Sequence, residues 1–325
     1  MHQFRKIIYS LLFLFVWFGE VKGCDVCGSF IGIHPGDKKA YVSMFYRYVS
    51  FSGNNTTNSP FFPDGSMRIG HTDHEGSNAT NSKEFEVYRA VEWRARYYLH
   101  PRVEFSVIAP YVFNSAYENE KQTENSGLGD LTTFLGWQLI NEANTGKFNH
   151  RFLVGSGVKW ALGDVNQKVY NERLSILLQP GTGSNDLLFF ANYQLGIENW
   201  SWNLLPTYKI NGKNRFDERV SNSITIFSNI SYQWKWNENF KAMPSMQGYF
   251  ESMKGVEVMA KKIKGTSMNG FFWGPGMDLF YKNIGFSSSC WWSARQDQNS
   301  NMLASRIRYR AGITWYFNQQ SFIFD

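Results

Sequence analysis

The feature that most constrains the fold of this 325-residue chain is an alternation of apolar and polar residues that recurs in segment after segment. In residues 84–99, apolar side chains such as Trp93 alternate with charged ones such as Glu92. A period of two residues over such a length indicates a β-strand with one apolar and one polar face. Comparable segments follow one another from 39–51 to 301–318, so the chain is predicted to be all-β.

The connections between these segments are alternately short and long. Short connections fall at 100–101, 141–147, 198–199, 237–239 and 282–283, and long ones near 52–83, 116–126, 164–182, 212–220, 252–265 and 296–300. Outer-membrane barrels combine short periplasmic turns with longer external loops, and their closed sheet leaves no backbone edge to face lipid. We therefore predict a transmembrane antiparallel up-and-down β-barrel of about 12 strands, with 14 as the alternative and both termini in the periplasm.

The amino-terminal residues have the order of a secretory signal peptide. Arg5 and Lys6 precede an apolar run over residues 7–18, and Gly23 stands before Cys24. The apolar run is shorter than the roughly 20 residues that a membrane helix needs. The predicted organisation is a signal peptide over 1–23, a periplasmic or plug segment over 24–38, and a barrel over 39–325 in the outer membrane of a Gram-negative-type bacterium.

Composition agrees with a membrane barrel and excludes other classes. Aromatic residues make up 18% of the chain, an excess that barrels use as girdles at the two membrane interfaces. The net charge of +6 is modest, and the basic residues of the chain are scattered. This distribution does not fit a nucleic-acid-binding protein. The expected partners are outer-membrane lipid and a small-molecule solute.

The segment before the first strand holds Cys24, Cys27 and His34. Two thiols separated by two residues can form a local disulfide or, with the imidazole, hold copper or zinc. Lipidation of Cys24 is a further alternative. The segment is expected either to plug the lumen or to recruit a periplasmic partner, and no cofactor is expected apart from a metal at these residues.

The alternation also predicts which charged side chains point into the lumen. The cations are Arg47, Arg94, Arg96, Arg102, Lys159, Lys209, Arg306, Arg308 and Arg310, and the carboxylates are Glu86, Glu92, Glu104, Asp130 and Asp278. A water-filled lumen with an excess of cations would concentrate anions and ease their passage. Alternatively, these residues form ion pairs between strands and fill a narrow barrel.

No catalytic constellation is evident in the sequence. A barrel hydrolase needs a nucleophile or acid pair held near a histidine, and the six histidines fall in the signal, near chain turns or in loops. In the first long loop, His71 and His74 alternate with carboxylates and could bind a divalent cation or only be solvated. The chain is predicted not to be an enzyme.

Two motifs resemble a known family. Gly127-Leu128-Gly129-Asp130-Leu131 opens the fourth predicted strand, and Gln179-Pro180-Gly181-Thr182-Gly183-Ser184-Asn185-Asp186 opens the sixth. They are similar to segments of the outer-membrane channel family named for the MetA pathway of phenol degradation, within the wider group of FadL-like transporter barrels. Motif positions Gly127, Gly129, Asp130, Gly181, Gly183 and Asp186 also suit a purely architectural role, since glycines admit turns and aspartates cap amides.

The resemblance implies a transporter-like barrel for small organic molecules. Together with the lumen charge, this leads to the expectation of a passive channel for small organic or anionic solutes, gated by an amino-terminal plug. The alternative is a metal-binding outer-membrane receptor that uses Cys24 and Cys27, and a barrel hydrolase is a third option.

Overall fold

The computed structural model describes residues 39–55, 82–118, 121–142, 148–169, 171–263, 266–296 and 304–317. Within these ranges, twelve antiparallel strands form one barrel. Their bounds are β1 Ala40–Asn55, β2 Ser82–His100, β3 Val103–Glu118, β4 Lys121–Leu128 continued by Leu131–Glu142, β5 Phe148–Trp160, β6 Asp186–Ile197, β7 Trp200–Ile210, β8 Ser223–Tyr232, β9 Phe240–Met253, β10 Met268–Tyr281, β11 Ile284–Gln296 and β12 Ala304–Phe317. The predicted fold class and the count of about 12 strands are confirmed.

The sheet closes on itself through its first and last strands. β1 pairs with β12 from Ala40 opposite Phe317 to Ser52 opposite Ala304, and every other neighbouring pair follows the chain order. Closure satisfies the backbone groups of all strands within the sheet, as a hydrocarbon environment requires. No helix in the described ranges is long and apolar enough to span a membrane.

The two faces of the strands differ as the alternation predicts. On β4, Leu135 and Trp137 are 50% and 59% exposed, whereas Phe134 and Gln138, on either side of this pair, are 3% and 2% exposed. The same alternation on β1 exposes Val42 and buries Ser43. The apolar outer face therefore suits lipid, while buried positions point into the lumen.

The two ends of the barrel also differ, with short turns at one end and longer connections at the other. Two-residue turns join β2 to β3, β6 to β7 and β10 to β11. At the opposite end, β3 and β4 stay paired from Tyr111 to Glu118, so residues 116–118 and 121–126 are strand residues where the sequence suggested a loop. Connections 212–220 and 252–265 likewise contribute short strands, Glu218–Val220, Val256–Val258 and Lys261–Lys262, that pair with one another.

The lumen has two walls of different character, which corrects the prediction that one face of every strand is polar. Buried apolar side chains from β4 to β11 form a continuous cluster, here called the aromatic wall: Phe134, Leu153, Leu188, Phe190, Leu205, Phe227, Tyr249, Phe272 and Trp291. Most inward-facing charges lie on β1, β2, β3 and β12, here called the charged wall. The alternation identifies the face of a residue, but it does not exclude apolar residues from the inner face.

Glycines make room for the rings of the aromatic wall. A Cβ atom at Gly157 would lie 2.5 Å from the ring of Phe134, and one at Gly155 would lie 2.4 Å from the ring of Phe190. Where the walls meet, the Arg308 guanidinium lies 3.6 Å from the centroid of Phe272, a cation–π arrangement. The interior is thus packed rather than an open pore over this height.

Candidate functional site

The connection between β5 and β6, residues 161–185, folds into the barrel and is here called the inserted loop. Ile176 and Leu177 on this loop are 3% and 2% exposed. They pack in a cluster with residues of β1, β9 and two neighbouring loops, namely Val49, Phe51, Val220, Met253 and Val256. Because burying an aliphatic side chain gains roughly 1.5–3 kcal/mol, this cluster favours the inserted position over one in solvent.

Hydrogen bonds also hold the inserted loop against the barrel. The Nδ2 atom of Asn114 on β3 donates to the Leu178 carbonyl at 3.0 Å, and Asn125 on β4 donates to the same oxygen. On the other side, Arg173 forms a bidentate ion pair with Glu218, with both N–O distances 2.6 Å. Bidentate pairs of this kind restrict geometry as well as adding energy.

A buried lysine links the inserted loop to the barrel wall. The Nζ atom of Lys159 on β5 lies 2.9 Å from Oδ2 of Asp130 and 2.7 Å from Oδ2 of Asp186, and it also donates to the Thr182 hydroxyl. Oδ2 of Asp130 accepts from the Thr182 amide and hydroxyl, both at 2.9 Å. We call Asp130, Lys159, Thr182 and Asp186 the Lys159 cluster. Lys209 on β7 lies 3.9 Å from Asp186.

The Lys159 cluster explains why the two sequence motifs occur together. Asp130 comes from the first motif, whereas Thr182 and Asp186 come from the second. A Cβ atom at Gly181 would lie 2.6 Å from Oδ1 of Asp130 and 2.7 Å from the Gly163 Cα atom, so the two segments can approach only without a side chain there. Of the motif glycines, Gly183 has a positive φ of 70°, which favours glycine.

Gly129 and Gly127 also lie against the inserted loop. A Cβ atom at Gly129 would lie 2.8 Å from Cγ of Pro110 and 3.1 Å from the carbonyl oxygen of Pro180, and one at Gly127 would lie 3.1 Å from Cγ of Pro180. The second aspartate, Asp186, accepts from the Gly212 amide at 3.0 Å through Oδ1. Five of the six motif positions therefore lie where the inserted loop meets the barrel, and Gly183 lies against Val165 within the loop.

A cavity of about 140 Å³ lies between the inserted loop and the charged wall. Its charged lining residues are the cations Arg47, Arg89, Arg94, Lys159 and Lys209 and the carboxylates Glu92 and Asp130. Its apolar lining residues are Ile108, Pro110, Val112, Ile176, Leu177 and Pro180. The cavity lining thus mixes cationic and apolar side chains, since Arg94 of β2 is the cross-strand partner of Ile108 of β3, and the inserted loop forms one of its walls.

Several predicted lumen residues form ion pairs around this cavity. Glu92 accepts from Nε of Arg47 and from Nε of Arg94, both at 3.1 Å. The guanidinium groups of Arg94 and Arg310 each lie 5.0 Å from the ring centroid of Phe45. The structure therefore combines the two alternatives for the lumen charge, because paired residues fill space while the cavity lining keeps more cations than carboxylates.

Toward the short-turn end, a second group of charges is packed among tyrosines. Arg96 lies 3.8 Å from Glu104, and its guanidinium lies 4.7 Å from the Tyr41 ring centroid. Glu104 also pairs with Arg151 at 3.4 Å. Arg96 is 2% exposed, so this layer restricts the lumen below the cavity.

The remaining predicted lumen residues have different placements. Arg308 pairs with Glu251 of β9, and Asp278 on β10 is half-buried. Arg102, predicted to line the lumen, instead lies in the turn between β2 and β3 with its side chain exposed, because the strand begins one residue later than the alternation suggested. The side chain of Arg306 lies outside the described residues.

The amino-terminal and first-loop predictions also lie outside the described residues. These are Cys24, Cys27 and His34, together with His71 and His74. In the part of the chain that the structure describes, no group of three or more His, Cys, Asp or Glu side chains could hold a metal ion.

The inserted loop was not predicted from the sequence, although the sequence contains a signal for it. Ile176, Leu177 and Leu178 form an apolar triplet inside a connection that was predicted to be an external loop. Surface loops are rarely apolar over consecutive positions, because they are in contact with water. Such a triplet between two long strands of a barrel indicates a loop that packs inward.

Comparison with solved structures supports the fold. An outer membrane channel from Pseudomonas putida F1 aligns with a TM-score of 0.61 at 13% identity, over 88% of this chain and 100% of that chain. LpxR from Salmonella typhimurium aligns with a TM-score of 0.41 at 12% identity, over 85% of this chain and 100% of that chain. A Pseudomonas aeruginosa FadL homologue aligns with a TM-score of 0.34 at 8% identity, over 86% of this chain and 90% of that chain. The likeness to the Pseudomonas putida channel shows the fold alone, that of an outer-membrane β-barrel.

No family model and no curated protein matches the sequence. The resemblance to the MetA-pathway family therefore stays a prediction that rests on the two motifs.

Proposed function

We propose that this protein is a passive outer-membrane channel for small organic or anionic solutes and that the inserted loop is its gate. The observation that carries the proposal is the position of this loop, which bears an apolar triplet inside a closed barrel and forms one wall of a cavity inside the lumen. The fold-level likeness to a solved outer membrane channel supports the same class by analogy.

The charge around the cavity favours anions over cations. Of its charged lining residues, five are cationic and two are carboxylates. In a water-poor lumen an excess of one charge raises the local concentration of the opposite ion, and rings of basic side chains serve this purpose in anion pores. A solute that enters from the long-loop end would meet these cations after the inserted loop moves.

The interactions of the inserted loop set how the gate works. The loop is bound by the Lys159 cluster and by the Arg173–Glu218 pair, so the closed state is the stable one. Opening requires undocking of Ile176 and Leu177 from their apolar cluster. We expect brief openings separated by long closed periods, since loop motions of this kind are infrequent when many contacts break together.

Ion selectivity in planar lipid bilayers tests the proposal. Purified full-length protein is reconstituted, and the zero-current potential is measured across a KCl gradient. We expect current whose reversal potential shows that chloride permeates more readily than potassium, with a preference that weakens at high salt because of screening. Arg47→Gln should reduce the preference, and Lys235→Gln, at an exposed position of the short-turn end, should not. Cation preference, or no current from folded protein, would contradict the proposal.

A further inference from the structure

A row of carboxamide side chains crosses four neighbouring strands of the barrel, β6 to β9. Strand pairing sets Gln194 opposite Asn203, Asn203 opposite Asn229, and Asn229 opposite Gln247. Residues directly opposite each other on antiparallel strands point to the same face of the sheet. The four side chains therefore lie side by side on one face, and we call them the carboxamide row.

The carboxamide row points into the lumen, next to the aromatic wall. Inward-facing positions of a strand recur every two residues, and Leu205, Phe227 and Tyr249 of the aromatic wall each stand two residues from a member of the row. Leu205 is opposite Phe227, and Phe227 is opposite Tyr249. An apolar row and the carboxamide row thus run in parallel across β7, β8 and β9.

On the other side of the carboxamide row, the next inward-facing residue of each strand is small. Pairing places glycine or serine at this level on six consecutive strands, here called the small row: Gly196, Ser201, Ser231, Ser245, Gly276 and Ser289. The Oγ atoms of Ser201 and Ser231 lie 2.6 Å apart, as expected for neighbours on one face. Side chains of this size occupy little of the lumen, and their hydroxyls both donate and accept hydrogen bonds.

Buried polar atoms of the carboxamide row lack hydrogen-bond partners among the described residues. Gln247 is 4% exposed, and its Nε2 atom donates to the Ser245 hydroxyl at 3.0 Å, whereas its Oε1 atom has no partner. The Nε2 atom of Gln194 is likewise buried and unpartnered. Unpaired buried polar groups are costly, and folded proteins satisfy nearly all of them. The row therefore offers both an acceptor and a donor to a molecule in the lumen.

The chemistry of the two rows selects a class of solute. Their residues are all uncharged, and Arg151, which continues the carboxamide row on β5, already pairs with Glu104 at 3.4 Å. A charged solute would lose hydration here without gaining a counter-charge, and an apolar solute would leave the amide atoms unpaired. Because a hydroxyl both donates and accepts, an uncharged body that carries several hydroxyls matches the two rows.

We propose that the carboxamide row and the small row form a binding surface for an uncharged polyhydroxylated solute the size of a single sugar ring. The two rows are about 7 Å apart, since each residue of a strand rises ~3.4 Å, and one such ring spans this distance. Its hydroxyls bond to Asn229, Gln247 and Ser231, and its C–H face packs against Phe227 and Tyr249. The inference rests on the proposed channel function and deepens it, because it names a class of solute for the lumen.

Saturation-transfer NMR on the purified full-length protein in detergent tests this surface, with inositol as the probe. We expect inositol to bind, and dioxane, an uncharged ring without hydroxyls, to bind at least about tenfold more weakly, because it cannot donate to Oε1 of Gln247. Gln247→Met keeps the side-chain volume but removes the carboxamide, so inositol binding should weaken about fivefold. Gln122→Met, the matched control at an exposed position of β4, should leave it unchanged. Equal binding of inositol and dioxane, or no inositol binding, would overturn the proposal.

A second variant keeps the test informative if Gln247→Met fails to fold. Asn229→Leu removes the neighbouring carboxamide, which is half-buried, and leaves Gln247 in place. Inositol binding should again weaken about fivefold, while the thermal unfolding midpoint stays near that of the unmodified chain. Unchanged inositol binding by either folded variant would place the solute elsewhere and overturn the proposal.

Bilayer currents separate this inference from the channel function. Chloride-selective current without inositol binding would reject the binding surface and retain the channel. Inositol binding that depends on Gln247 in a chain that conducts no ion would retain the surface and reject the channel.

Discussion

At the scale of single residues, Lys159 links the two motifs by pairing with an aspartate of each. Its ammonium group pairs with two carboxylates that are 7% and 1% exposed, those of Asp130 and Asp186. Removing one partner of a buried ion pair leaves an uncompensated charge in a low-dielectric site. Removal of the Lys159 charge is therefore expected to cost more folding stability than removal of the charge of an exposed lysine.

Lys159→Gln should destabilise the protein by about 3 kcal/mol, measured as the change in free energy of unfolding by denaturant in lipid vesicles. Lys235→Gln removes an equal charge from an exposed position and should change stability by less than about 0.5 kcal/mol. Equal effects of the two substitutions would show that the Lys159 cluster contributes no special stability.

The structure leaves no space for a side chain at Gly181. Gly181→Ala places a Cβ atom 2.6 Å from Asp130 and 2.7 Å from the Gly163 backbone, so the loop must shift at a cost of about 1–3 kcal/mol. Gly196→Ala is the matched control, because its nearest contact would be 3.4 Å from the Asn149 Cβ atom. The thermal unfolding midpoint should fall for Gly181→Ala alone, and a fall of similar size in both variants would refute the argument.

The role of Asp130 was predictable from the motif only in part. Capping by aspartate was anticipated, and Asp130 accepts from the Gly163 and Thr182 amides at 3.0 and 2.9 Å. The partner of Asp130 was not predictable, because Lys159 approaches it only through the pairing of β4 with β5. The requirement for glycine at the motif positions likewise arises mainly from contact between distant segments rather than from local backbone conformation.

At the scale of strands, the outer face was the most predictable part of the chain. Lipid contact requires apolar side chains at every second residue, so the outer face is visible in the sequence as an alternation of apolar residues. The inner face was less predictable, because both ion pairs and aromatic rings can fill it. Phe134 and Phe190 fit inside only because Gly157 and Gly155 leave space on β5, a relation between strands that periodicity does not reveal.

Trp93→Arg tests the outer face. Trp93 lies well inside β2 and is 46% exposed, so an arginine there would face the hydrocarbon region and cost about 2–4 kcal/mol. Ile284→Arg, at the first residue of β11 and 48% exposed, lies near the membrane interface and should cost only about 0–1 kcal/mol. Denaturant unfolding in lipid vesicles measures both, and equal costs would contradict the proposed membrane span.

At the scale of the whole molecule, the closed barrel was predictable and the position of the inserted loop was not. Closure follows from the even number of strands and from the alternation of connections, both visible in the sequence. The inserted position of residues 161–185 depends on partners from β3, β4 and the loop after β7, which meet only in the folded barrel. The strands that surround the lumen were therefore predictable, whereas the loop inside the lumen depends on tertiary contacts.

Release of the inserted loop is the most direct test of the account. Leu177→Lys places a cation in the apolar cluster beneath the loop and beside the cationic lining, whereas Asn166→Lys adds the same charge at an exposed position of the same loop. Single-channel recording should show a higher open probability for Leu177→Lys than for the unmodified chain, with Asn166→Lys unchanged. A folded Leu177→Lys barrel that opens no more often than the unmodified chain would contradict a channel gated by this loop.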